Sequence, residues 1–108
     1  MALHEKRCAA CEEATEPLPA DSIEQLAGEL SARWSVVDGH HLEGDWVFAD
    51  FATALAFVNR AGAVCEAEWH HADFHFGWGR VKVLIWTHKV DGLTEADFVL
   101  AAKLDREA

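Results

Sequence analysis

Basic side chains are scarce in this sequence: nine Lys and Arg stand against nineteen Asp and Glu, for a formal net charge of −10. Proteins that hold nucleic acid by its phosphates leave a footprint of clustered Lys and Arg, so the shortage argues against that class of partner. The surplus carboxylates identify no partner by themselves, because they commonly serve only to keep a surface solvated. Long apolar runs are missing too, and no charged-then-apolar leader opens the sequence. The expectation is a soluble cytoplasmic protein with neither a nucleic-acid nor a membrane partner. Three cysteines are an odd number, and without an export signal they do not read as a disulfide framework. Only two prolines occur, Pro17 and Pro19. No internal repeat or low-complexity tract is visible.

What is present fits one small domain. At 108 residues, 51% of them hydrophobic, the chain can bury one core but not two. Residues 1–20 differ from the rest, with the charged run His4-Glu5-Lys6-Arg7, an Ala/Glu/Cys stretch and both prolines. They read as a flexible N-terminal arm, and residues 21–108 as the domain. Cys8-x-x-Cys11 with His4 nearby could offer three zinc ligands. A lone CxxC is a low-specificity signal, however, and two stray thiols on an arm is the simpler reading.

Helical and strand periodicities then alternate. A first helix should begin after Asp21 or Ser22, with Ile23, Leu26, Ala27, Leu30 and Trp34 on one face. Trp34–Val37 and Leu42–Phe48 read as two strands, with Asp38-Gly39 as the turn signal and His40-His41 as part of the turn. Asp50 caps a second helix whose apolar side carries Phe51, Ala54, Leu55, Val58, Ala61, Gly62 and Cys65 and which ends near Trp69. Phe74–Trp78 and Arg80–His88 form a second strand pair across Gly79. Thr94 caps a last helix with Leu93, Leu100, Ala101 and Leu104 on one side. The order α-β-β-α-β-β-α predicts an α+β two-layer sandwich, a four-stranded antiparallel sheet with helices on one face. The other face is half apolar at Leu84 and Trp86 and should meet a ligand or a second subunit.

The chemistry concentrates between Glu66 and Asp97. His70 and His71 lie where the second helix should stop, and helix-end carbonyls favour protonated imidazoles there. His88 follows at the end of the last strand, on the side of Trp86. If that strand end approaches the helix end, three imidazoles and Glu66 share one pocket able to give and take protons near neutral pH. The plainer readings are an exposed helix end for the His pair and a carbonyl-bonded strand residue for His88. Zinc is a further alternative, but adjacent histidines rarely point at one ion and no HxxxH pair supports them. Cys65 falls on the buried helix face, and His75 at the site's edge.

The stretch resembles the pterin-4a-carbinolamine dehydratase (4a-hydroxytetrahydrobiopterin dehydratase) signature: a Glu, three residues, His-His-Pro, an aromatic residue and a later Thr-His. Here these are Glu66, His70-His71-Ala72, Trp78 and Thr87-His88, followed by Gly92-Leu93-Thr94 and Asp97. Upstream, Trp34-Ser35-Val36-Val37-Asp38-Gly39, Phe48-Ala49-Asp50-Phe51 and Ala54-Leu55-Ala56-Phe57-Val58-Asn59 extend the likeness over residues 17–105. The resemblance implies a hydro-lyase that removes water from 4a-hydroxytetrahydropterin, giving the quinonoid dihydropterin in tetrahydropterin recycling after an aromatic amino acid hydroxylase. It implies His70, His71 and His88 as acid, base and orienting groups, and Glu66, Trp86 and Trp78 as pterin-binding residues. It also implies no metal or other cofactor, and a homodimer or homotetramer. Some members of this fold act instead as scaffolds, in transcription coactivation or Rubisco assembly. Two residues depart from the pattern. Ala72 replaces the proline after the histidine pair, and the bulky Trp69 stands where a small, turn-forming residue is common.

Overall fold

The computed structural model describes residues 2–8 and 16–108. Its elements are α1 (Ala20–Ala27), β1 (Trp34–Val37), β2 (His41–Val47), α2 (Phe51–Glu68), β3 (Asp73–Gly77), β4 (Arg80–Ile85) and α3 (Glu95–Asp105). The α+β class and the element order are those expected. The strands form one antiparallel sheet in the order β1-β2-β4-β3, so the two hairpins join through β2 and β4. Among the described residues, no helix is long and apolar enough to cross a membrane.

Strand alternation decides which side of the sheet meets the helices. Leu42 pairs with Ile85 and Trp46 with Val81, and all four, with Val83, are buried on one face. Phe57 of α2 packs there, with its ring centroid 4.7 Å from that of Trp46. Between β1 and β2, Asp38 and Gly39 both take positive φ, the backbone that a tight hairpin turn requires. Gly44 faces Trp34, and a Cβ there would sit 2.8 Å from the indole, so only glycine lets the ring lie across the strand.

The second helix starts as the sequence indicates. The Asp50 carboxylate accepts the Thr53 backbone N–H at 2.8 Å, satisfying one of the first-turn amides. That bond, together with one from the Thr53 hydroxyl, holds the Asp50 carboxyl below the ordinary range. Its buried residues are Ala54, Phe57, Ala61 and Cys65, spaced at three and four. Phe51 and Leu55, expected on that face, are exposed instead. The stripe runs through Phe57, and the other two lie beside it.

Other boundaries shift for identifiable reasons. The first helix begins at Ala20 behind Pro19, earlier than Asp21 or Ser22, and ends at Ala27. Leu30 therefore lies outside the helix, and Trp34 opens β1. β4 leaves the ladder after Ile85 rather than continuing to His88, because Thr87 pairs with Gly92 and His88 opens a short 3-10 turn. The last helix buries Ala96, Asp97, Phe98, Val99, Leu100, Ala101 and Leu104, far more than one stripe.

The cover for that extra surface comes partly from the N-terminal residues. Leu3 and Cys8 are buried, the Cys8 thiol faces the Ala96 carbonyl at 3.6 Å and its N–H donates to Glu68. Lys103 donates to the His4 carbonyl at 2.9 Å. Cys8 is thus part of the core, not a stray thiol on an arm. Cys11 lies outside the described residues.

Candidate active site

The C-terminal turn of α2 aims the histidine pair. Trp69 adopts the left-handed conformation, φ 52° and ψ 43°. The His70 N–H reaches back to the Cys65 carbonyl and the Trp69 N–H to the Glu66 carbonyl, at 3.2 and 3.3 Å. These are the two bonds of a Schellman turn, whose left-handed residue is usually glycine. A residue with a Cβ costs about 1–2 kcal/mol more there. The sharp reversal sends His70 inward and leaves His71 outside. Helix-end carbonyls that could have favoured imidazolium are thereby taken by backbone amides.

His70 is 7% exposed and sits over a fully buried carboxylate. Its Nε2 lies 2.6 Å from Asp97 Oδ1. The other oxygen of Asp97 accepts the Thr87 hydroxyl and the Thr94 N–H, both at 2.8 Å. With its own proton committed to Asp97, Thr87 must accept the Thr94 hydroxyl, 2.8 Å away. Both oxygens of the buried carboxylate thus accept hydrogen bonds, three in all, and the N-terminus of α3 adds a favourable dipole. Because a carboxylate only accepts, Nε2 of His70 carries the hydrogen of this bond. The same reasoning applies to His71, whose Nε2 bonds Glu66 while both side chains remain exposed.

The strand end supplies the opposite wall. His88 stacks on Trp86 with centroids 4.4 Å apart and planes 21° apart. No other described side chain hydrogen-bonds its ring nitrogens. A cavity of 340 Å³ is lined by Trp69, His70, His71, Trp86, Thr87, His88 and Lys89, so the strand and helix ends do bring the three imidazoles together. Glu66 joins them through His71. Trp86 forms part of the wall, whereas Trp78 stands 76% exposed at the β3–β4 turn and does not line the cavity. Ala72 is partly buried. Its backbone amide donates toward Cys65, whose thiol is nevertheless pushed up by burial.

Four residues of the site lacked a role in the sequence reading. Asp97 and Thr94 were visible as a helix start, but only the tertiary fold shows the carboxylate turned toward His70. Thr87 was visible beside His88 without its bond to Asp97. Trp69 was visible as a misfit without its place on the cavity wall. Behind Trp86, the His40 and His41 rings lie 5.5 and 5.9 Å from the indole, and His40 Nε2 pairs with Asp91 at 2.7 Å. The hairpin histidines therefore buttress the wall.

A larger, shallow depression of 620 Å³ lies on the sheet's open face, lined by residues that include His75, Lys82 and Glu43. It contains His75 and none of the three clustered imidazoles, so His75 belongs there and not to the site's edge. Among the described residues, no three His, Cys, Asp or Glu side chains converge as a metal site.

The sequence profile of the family described as "Pterin 4 alpha carbinolamine dehydratase" matches residues 16–107. A protein of Rubrobacter xylanophilus is 50% identical over 104 residues, covering 96% of each chain. One of Alkaliphilus metalliredigens is 44% identical over 105 residues, covering 97% of this chain and 95% of its own. Both are designated, provisionally, pterin-4-alpha-carbinolamine dehydratases. Among solved structures, a transcriptional coactivator/pterin dehydratase from Brucella melitensis superposes with a TM-score of 0.80 at 30% identity, over 86% of this chain and 99% of that one. A pterin dehydratase-like protein identified as a RuBisCO assembly factor in the α-carboxysome gives 0.59 at 25% identity, over 70% and 87%.

Proposed function

The chain belongs to the pterin 4 alpha carbinolamine dehydratase family, and from that premise we propose that it dehydrates 4a-hydroxytetrahydropterin to the quinonoid dihydropterin. The observation that carries this reading is the convergence of His70, His71 and His88 on one cavity walled by indoles. Loss of water requires a proton on the departing C4a hydroxyl and removal of one from a ring nitrogen. A positioned imidazole can do either near neutral pH, typically for ~10²–10⁴-fold in rate.

The hydrogen bonds divide the labour. Asp97 fixes the ring orientation and tautomer of His70 from the buried side, and Glu66 does the same for His71 from the solvent side. Each leaves Nδ1 as the basic nitrogen. The carboxylates also stabilise imidazolium once a proton has been taken. His88, exposed and with its ring stacked on Trp86, is the group best placed to exchange its proton with solvent between turnovers. Trp86, with His88 stacked on it, supplies part of the aromatic wall beside the bicyclic ring.

In this reading the imidazoles themselves supply the acid and the base, without a metal or organic cofactor. Pterin recycling after aromatic amino acid hydroxylation is the setting in which such a product is consumed. A scaffold function, of the kind named for the carboxysomal relative, would not require three imidazoles on one cavity. Purified protein should accelerate dehydration above the spontaneous rate, and protein without the imidazoles should not.

A further inference from the structure

Trp69 holds a costly backbone conformation without returning anything to the core. It is the bulky residue at the left-handed position of the Schellman turn, where glycine would sit without strain. Its side chain is 68% exposed, so burial does not repay that cost. Its ring contact is with His71, edge to face with centroids 5.1 Å apart. The indole also lines the 340 Å³ cavity that the stacked Trp86 and His88 line. Strain kept at a cavity mouth by an exposed aromatic ring points to a ligand.

We propose that Trp69 is a specificity-determining residue that stacks on the flat bicyclic ring of the bound pterin and closes the open side of the cavity. The proposal rests on the dehydratase reading and adds to it the residue that grips the ring. A heterocycle lying on Trp69 is within reach of His71, in a cavity that the stacked Trp86 and His88 also line. An exposed aromatic that gains a stacked partner contributes to ground-state and transition-state binding alike. Its loss should therefore appear in KM and not in kcat.

The test compares Trp69→Gly and Trp69→Phe with wild type in three measurements: dehydration kinetics with 4a-hydroxytetrahydropterin, calorimetric binding of 7,8-dihydrobiopterin, and thermal unfolding. Stacking of a heterocycle on an aromatic side chain is commonly worth about one order of magnitude or more in affinity. For Trp69→Gly we expect KM and Kd to rise roughly tenfold, kcat to stay within about threefold, and the melting temperature to hold or rise as strain is released. Trp69→Phe should restore most of the affinity.

Unchanged KM and Kd in Trp69→Gly, with wild type active, would overturn the assignment and leave the dehydratase reading standing. A melting temperature lowered along with affinity would overturn it as well, by showing that the indole supports the helix end. Wild type that neither binds the dihydropterin nor accelerates dehydration would contradict the functional reading and this inference together.

Discussion

Asp97 shows how much a single side chain decides in this molecule. It is wholly buried, and its two oxygens are divided between His70 on one side and Thr87 and Thr94 N–H on the other. Removing one partner of such a group leaves a charge without compensation. His70→Ala should therefore destabilise the fold by about 3 kcal/mol, measurable by urea unfolding. His70→Gln, which can present an N–H where Nε2 lies, should recover much of that loss. His71→Ala and His88→Ala, both at exposed positions, should leave stability within about 0.5 kcal/mol. The sequence placed the three imidazoles near one another without marking any of them as buried. Proximity at the end of α2 was legible, but the direction of each ring was not. One left-handed residue sends His70 inward and leaves His71 outside, and nothing in the His-His pair itself distinguishes them.

At the scale of elements, local signals located the helices and strands better than they located the surfaces those elements hide. The Asp38-Gly39 turn and the Asp50 cap each act through neighbours in sequence, and both appear where turn and cap chemistry places them. The buried face of α2 depends on where the sheet lies, and Phe57 displaced Phe51 and Leu55 from it for that reason. The burial of α3 depends on residues 2–8, whose own periodicity gives no sign of a partner. Deleting residues 1–8 should consequently remove the buried Leu3 and Cys8 and expose the surface of α3 that they cover. Lost burial of the leucine alone is worth about 2 kcal/mol, and each kcal/mol lowers the melting temperature by roughly 4–8 °C in a domain of this size.

The cap of α2 also carries a pH signature. Thr53 depresses the Asp50 carboxyl in the folded state, so the cap's contribution is complete above the unfolded-state pKa of about 3.9 and is lost as pH falls through the lower folded value. Urea midpoints of wild type and Asp50→Asn should accordingly differ more at pH 7 than at pH 2–3. An equal difference at both would remove the cap from the acid response.

For the whole molecule, the cavity occupies one end of β4 and a cluster of exposed apolar side chains the other. Phe51 stacks on Phe76 at 5.6 Å, Leu55 follows one turn along α2, Val47 pairs with Arg80, and Trp78 stands at the adjoining turn. Val47 and Trp78 are 87% and 76% exposed, and β1 and β3 both leave a sheet edge open. A monomer seldom displays such a surface without use, so we expect a homo-oligomer joined away from the cavity. Sedimentation at micromolar concentration should give a multiple of the 12.0 kDa chain mass. Phe51→Glu should shift the equilibrium toward monomer, and a wild-type protein that already sediments as one chain would refute the expectation.

Three imidazoles on one cavity are what we propose dehydrate a pterin carbinolamine. The most direct measurement is the rate of 4a-hydroxytetrahydropterin dehydration, above its spontaneous rate, for wild type and for the His70→Gln/His71→Ala/His88→Ala protein shown to be folded by circular dichroism. We predict marked acceleration by wild type and a loss of at least ~10²-fold in the variant. That loss should fall short of the product of the single losses, because the three act as one proton-handling unit. A folded variant as active as wild type would contradict the account.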